Sequence, residues 1–171
     1  MQLPELLDKM VEQSLLGDKT KQGFYKKVRG KDGSEILTLD YKTMEYRPRE
    51  KAKYDIFKKT KEAGLKNGLK ILVESDCEAG KFAWAFKKKL WTYSANRIPE
   101  IADDIVNVDR AMSWGFNWEL GPFASWDAVG LRESVERMKK EGEKIPALVE
   151  EMLANGIESF YKEDEDGTLL Y

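Results

Sequence analysis

Residues 93–130 read YSANRIPEIADDIVNVDRAMSWGFNWELGPFASWDAVG, and this stretch decides the fold. Pro99 must end or kink any helix arriving from its left near Arg97. The acidic run Glu100, Asp103, Asp104 and Asp109 then precedes short helical stretches expected at about 108–115, 122–130 and 131–142, the second opened by Gly121-Pro122. Acids just ahead of a helix satisfy its free N–H groups and its dipole. They outweigh the rival readings of a cation loop or a glycosidase acid pair, because the spacing fits neither an EF-hand nor two carboxylates on one helix face. Asp127 is expected to act the same way in the first turns of the Pro122 helix. Trp114, Trp118 and Trp126 read as core residues rather than base- or sugar-stacking platforms.

Left of this stretch, a long helix is expected from an Asp76 N-cap, with Phe82, Phe86, Leu90 and Tyr93 as a deep apolar stripe. Trp84 and Trp91 then point elsewhere, onto a face that another domain or a partner should cover. Earlier still, Lys51 to Ala63 and Leu65 to Glu74 read as helices broken by Gly64, and Thr43 to Arg49 as an irregular linker. Residues 3–16 read as a helix with Pro4 in its first turn, followed by FYKKVRGKDGSEILTLDY, a hairpin turning at Gly30 to Gly33. The last helix is expected at 146–155.

Two parts of the chain resemble each other. Aligning Leu3-Pro4 with Ile145-Pro146 places Leu6, Leu7, Asp8, Met10, Val11 and Leu15 on Leu148, Val149, Glu150, Met152, Leu153 and Ile157. After a short gap, GFYK at Gly23 to Lys26 meets SFYK at Ser159 to Lys162, and Asp32-Gly33 meets Asp166-Gly167. Self-similarity at long period implies a duplicated unit. On that reading residues 1–47 are the closing helix and hairpin of a first unit, and 48–171 are a second unit whose hairpin is cut short. The termini then read as cuts within a longer polypeptide.

Composition narrows the chemistry. With 171 residues and 42% hydrophobic content the chain can bury one sizeable core or two small ones. It contains no histidine, which removes Ser-His-Asp, Cys-His and the common zinc constellations together. The 29 basic and 31 acidic side chains balance to a net −2, which does not recruit nucleic acid. No apolar run suits a membrane span and no secretion signal opens the chain, so a cytoplasmic location is expected. The lone Cys77 lies between Asp76 and Glu78, whose charges should raise its pKa and leave it inert. GLKNGLK and GKDG lack the spacing and the preceding buried strand of a dinucleotide-binding loop. No cofactor or metal site is therefore expected in this chain. Lys87, Lys88 and Lys89, with Asn96 and Arg97, could grip the phosphates of a nucleotide or of coenzyme A, or a neighbouring domain, although a solvated helix face is the simpler reading.

The order Asn107, Asp109, Ala111, Met112, Gly115, then Gly121-Pro122-Phe123, then Trp126-Asp127 and Gly130 resembles the helical C-terminal domain of 3-hydroxyacyl-CoA dehydrogenases. The family pattern is an acidic D-x-D-x-A-M-x-x-G turn and helix followed by GPF and W/L-D-x-x-G, and the chain departs from it at Asn107. The resemblance implies a mainly α domain of the 6-phosphogluconate-dehydrogenase C-terminal type, with a small hairpin between duplicated units. It implies a parent that oxidises 3-hydroxyacyl-CoA to 3-ketoacyl-CoA in fatty-acid β-oxidation, with NAD and the catalytic histidine and glutamate on a separate Rossmann domain. The chain most resembles the central region of a fusion with enoyl-CoA hydratase. Its partners would be that Rossmann domain, a sister helical unit, acyl-CoA and a second copy in a homodimer. Asp109, Glu119, Gly121, Pro122, Asp127 and Gly130 read as structural. A helical interaction module and a stand-alone acyl-CoA-binding domain are the alternatives.

Overall fold

The computed structural model describes residues 4–30, 33–163 and 169–170. Leu3, Asp32 and Asp166-Gly167 of the internal alignment lie outside the described residues. The chain divides into two compact units, Met1–Lys53 and Tyr54–Tyr171.

In the first unit α1 (Glu5–Glu12) follows Pro4, whose φ of −60° suits the residue that opens a helix. Strands β1 (Tyr25–Gly30), β2 (Gly33–Leu39) and β3 (Tyr46–Pro48) form an antiparallel sheet in that order. The stretch Thr43 to Arg49, expected to be an irregular linker, instead contains a strand, because Tyr46–Pro48 pairs with β2 through Leu39↔Tyr46 and Leu37↔Pro48. Two features missed by a reading for turn residues make this possible. Asp40 Oδ1 accepts from the N–H groups of Lys42 and Thr43 and folds the chain back, and Pro48 sits on an edge strand, where a missing N–H costs nothing. Tyr46 Oη donates to the Gly23 carbonyl at 2.6 Å, tying β3 to the start of β1. Met10, Leu15 and Leu39 form a small core.

The second unit is helical: α2 (Ile56–Glu62), α3 (Leu65–Glu74), α4 (Glu78–Ala95), α5 (Ile105–Phe116), α6 (Pro122–Val129), α7 (Leu131–Lys140) and α8 (Ala147–Ala154). Strands β4 (Lys162–Glu163) and β5 (Leu169–Leu170) pair antiparallel after them. Gly64, at φ 77°, breaks α2 from α3 as expected.

The face of α4 is the inverse of the expectation. Trp91 is wholly buried and Trp84 nearly so, whereas Phe82 is 73% exposed, Tyr93 62% and Phe86 49%. The correction has two causes. A Cβ at Gly80 would meet Leu72 O at 2.6 Å, so the side of α4 that carries Gly80, Trp84 and Trp91 is the side that approaches α3. Indole also brings the largest apolar area and an N–H that must find an acceptor. Trp91 Nε1 donates to Ser125 Oγ at 2.9 Å, Trp84 Nε1 to Glu141 Oε1 at 2.8 Å, and Trp91 stacks on Trp126 at 5.4 Å. The tryptophans near the bend divide. Trp126 is fully buried, Trp118 is partly covered and Trp114 is 80% exposed, so core packing fails as a description of Trp114.

The helix starts one residue later than expected, with Cys77 rather than Asp76 at the N-cap. The Cys77 thiol is also pulled below its ordinary value, chiefly by its hydrogen bond with Ser75 Oγ at 3.2 Å and further by helix N-terminal N–H groups. The rise expected from the flanking acids is therefore not found.

Candidate functional site

The densest polar arrangement inside the second unit joins α5, α6 and the closing hairpin through two carboxylates. Asp104 caps α5 in the expected way, accepting from Asn107 N–H at 2.8 Å. The Asn107 side-chain amide donates to the second Asp104 oxygen at 2.9 Å, a contact that an acid at this position could not make.

Asp109, five residues after the Asp104 cap, is turned inward and is 7% exposed. Its oxygens accept from Phe123 N–H and Ala124 N–H, each at 2.8 Å, so a side chain of α5 satisfies the first free N–H groups of α6. Pro122 supplies the first helical residue, and Gly121 lies so close to α5 that a Cβ there would sit 2.5 Å from Asp109 Cα. Tyr161 Oη donates to Asp109 Oδ2 at 3.1 Å. Burial raises the Asp109 carboxyl, against these bonds and the charge of Lys87. Burial also raises Tyr161, with the Asp109 charge adding to it.

Asp127 departs from its expected role. Since α6 is only eight residues long, position 127 falls near its C-terminal end, where a carboxylate gains nothing from the dipole. It reaches the closing hairpin instead, accepting from Phe160 N–H and Tyr161 N–H at 2.9 Å each. Burial pushes its carboxyl up to about 6, with Asp109 contributing in the same direction. Phe160 fills the space above, 4.8 Å from the Phe123 ring and 5.5 Å from that of Trp126. Gly130, at φ 107°, both ends α6 and opens α7. Glu119 is exposed and lines a cavity of about 230 Å³ with Asp109, Arg110, Ser113 and Tyr161.

Lys87, Lys88 and Lys89 do not act together. Lys88 pairs with Glu141 at 2.8 Å and Glu143 at 2.7 Å, and Lys89 with Glu143 at 3.1 Å, tethering α4 to the end of α7. Lys87 instead lies 5.7 Å from the centre of the Trp118 ring, and burial lowers its pKa. Asn96 is the exposed C-cap of α4, and Arg97 pairs with Glu100 and lies 5.4 Å from the Tyr93 ring.

Both carboxylates thus accept from donors that hold the fold together. The role of Tyr161 escaped the sequence reading, although its place in the SFYK segment marked it. Among the described residues no cluster of acids or thiols could hold a metal ion. No helix among them is long and apolar enough to cross a membrane.

No protein-family model matches the chain. A protein of Bacillus subtilis named a probable 3-hydroxyacyl-CoA dehydrogenase is 42% identical to it over 170 residues, 99% of this chain and 21% of that protein. A protein of Rickettsia felis named as a fatty acid oxidation complex trifunctional enzyme is 30% identical over 120 residues, 69% of this chain and 15% of that protein. The chain therefore spans about a fifth of the length of the first relative and less of the second. The Asp109 bend, the Gly121-Pro122-Phe123 turn and Asp127 lie within a chain that is, over its whole length, a relative of part of a 3-hydroxyacyl-CoA dehydrogenase.

Proposed function

We propose that this chain is a helical scaffold region of an NAD-dependent 3-hydroxyacyl-CoA dehydrogenase that works in fatty-acid β-oxidation in the cytoplasm. The observation that carries the reading is the 42% identity over 170 residues to the Bacillus subtilis protein. The second unit is of the 6-phosphogluconate-dehydrogenase C-terminal type on this reading, and it closes an acyl-CoA cleft and makes dimerisation-type contacts.

The residues in hand do not fit NAD. All strand pairs among the described residues are antiparallel, and no glycine-rich phosphate loop follows a buried strand. The cofactor belongs to a Rossmann domain elsewhere in the parent, and no chemical step is assigned to this chain.

The duplication is part of the proposal. Pro4 and Pro146 cap their helices at φ/ψ of −60°/138° and −60°/139°, and Gln13 and Asn155 end them at −87°/8° in both cases. Phe82 and Phe86, stacked at 6.5 Å on the open face of α4, are offered to the sister unit or to a second copy. Of the five residues proposed for acyl-CoA or interdomain contact, Lys87 is the strongest, because Lys88, Lys89 and Arg97 are already paired.

The test is NADH formation from NAD and short-, medium- or long-chain 3-hydroxyacyl-CoA. The native protein expressed from its own gene is expected to form it, and residues 1–171 alone are not. NADH from the isolated chain, or none from the native protein with any chain length, overturns the reading.

A further inference from the structure

The two Phe-Tyr pairs of the internal alignment meet different surroundings. Each follows a helix with the same caps and the same closing bond, Leu15 N–H to Met10 O at 2.8 Å and Ile157 N–H to Met152 O at 2.9 Å. In the second unit Phe160 and Tyr161 are buried against Phe123, Trp126 and the carboxylates of Asp109 and Asp127. In the first unit Phe24 is 49% exposed and Tyr25 57%, with the Arg49 guanidinium 5.8 Å from the centre of the Tyr25 ring.

The backbone agrees. Leu39 N–H donates to Phe24 O, which makes that a bonded pair of the antiparallel ladder. Bonded and non-bonded pairs alternate, so Tyr25, opposite Thr38, directs its N–H away from β2. This is the group that Tyr161 uses toward Asp127.

We propose that Phe24 and Tyr25 form a plug for a second helical unit built like residues 54–171. That unit would receive Phe24 on an aromatic floor, and the Tyr25 N–H and hydroxyl on two carboxylates. The inference rests on the duplication proposed above. Among the described residues the one such receiving surface is already filled by Phe160 and Tyr161, so the receiving unit is a different one.

Two measurements on the native protein expressed from its own gene test it, with residues 1–171 alone as the reference. In the isolated chain the Tyr25 amide should exchange fast and the Tyr161 amide slowly; in the native protein the Tyr25 amide should slow to the Tyr161 rate. Benzoylphenylalanine at position 24 should cross-link to a helical peptide from outside residues 1–171. A fast Tyr25 amide in the native protein, or cross-links confined to residues 1–171, overturns the plug. The NADH assay on the same preparation separates the two readings. An active protein with a fast Tyr25 amide overturns the plug alone, and an inactive one with a protected, cross-linked plug overturns only the enzyme reading.

Discussion

The closing helix and Phe-Tyr pair of Met1–Lys53 and those of Tyr54–Tyr171 share caps to within a degree or two, yet one pair is buried and the other stands in solvent. The local chain is the same in both and the tertiary setting is not. What a proline-started helix and an aromatic pair specify is a direction of travel, whereas burial requires the carboxylates and rings of a facing helix pair.

Truncation separates the two settings most sharply. Phe160→Ala empties a buried site between Phe123 and Trp126 and should cost about 3–5 kcal/mol in a denaturant titration of the second unit. A loss below about 1 kcal/mol would mean that the site collapses or that Phe160 is not held there.

Next comes the acceptor. Asp109→Ala leaves two helix N–H groups and the Tyr161 hydroxyl without their partner, at about 1–3 kcal/mol. Tyr161→Phe removes one of these bonds and should cost about 1 kcal/mol, so an equal loss in the two variants would refute the capping role of Asp109.

A smaller effect is expected from pH, because Asp127 is only partly buried. Its folded pKa of about 6 lies above the unfolded carboxyl value near about 3.9, so the folded state keeps a proton that the unfolded state releases. The stability that Asp127 contributes should therefore be full below about pH 4 and be lost as pH rises through about 6. Asp127→Asn should remove that loss, so the stability of wild type minus that of the variant should fall over this window, and a difference that rises instead would contradict the burial argument.

Phe24→Ala should do least, staying within about ±0.5 kcal/mol in the isolated chain. A larger loss would show that the first unit already buries its aromatic and would dissolve the contrast.

Helix positions were legible in the sequence to within a few residues, because Gly64, Pro122, Gly130 and Pro146 punctuate the chain and act locally, except that α2 opens at Ile56 rather than at Lys51, where no such residue marks a start. Which face of α4 turns inward was not. A stripe at spacings of four, four and three marked Phe82, Phe86 and Tyr93, whereas the decision lay with Gly80 and with indole N–H groups that find Ser125 and Glu141 far along the chain. Strand β3 was hidden for a related reason, since three residues ending in proline become a strand only beside β2. In the candidate site the motif marked Asp109, Gly121 and Asp127 by order alone. That Asp109 serves the next helix and Asp127 the closing hairpin depends on contacts 14 and 33 residues apart, which no local pattern encodes.

The close approach of Gly121 to Asp109 couples two positions that a residue-by-residue scan would treat as independent. At position 121 the space for a side chain is set by α5, so a methyl group there must push the capping carboxylate away from α6 before it can fit. Once position 109 is alanine there is no cap left to displace, although the methyl group still meets the Cα and Cβ of residue 109 at 2.5 and 2.6 Å. The harm done by Gly121→Ala is therefore conditional on the aspartate: severe in its presence, partial in its absence, and visible only when both sites are changed in one molecule.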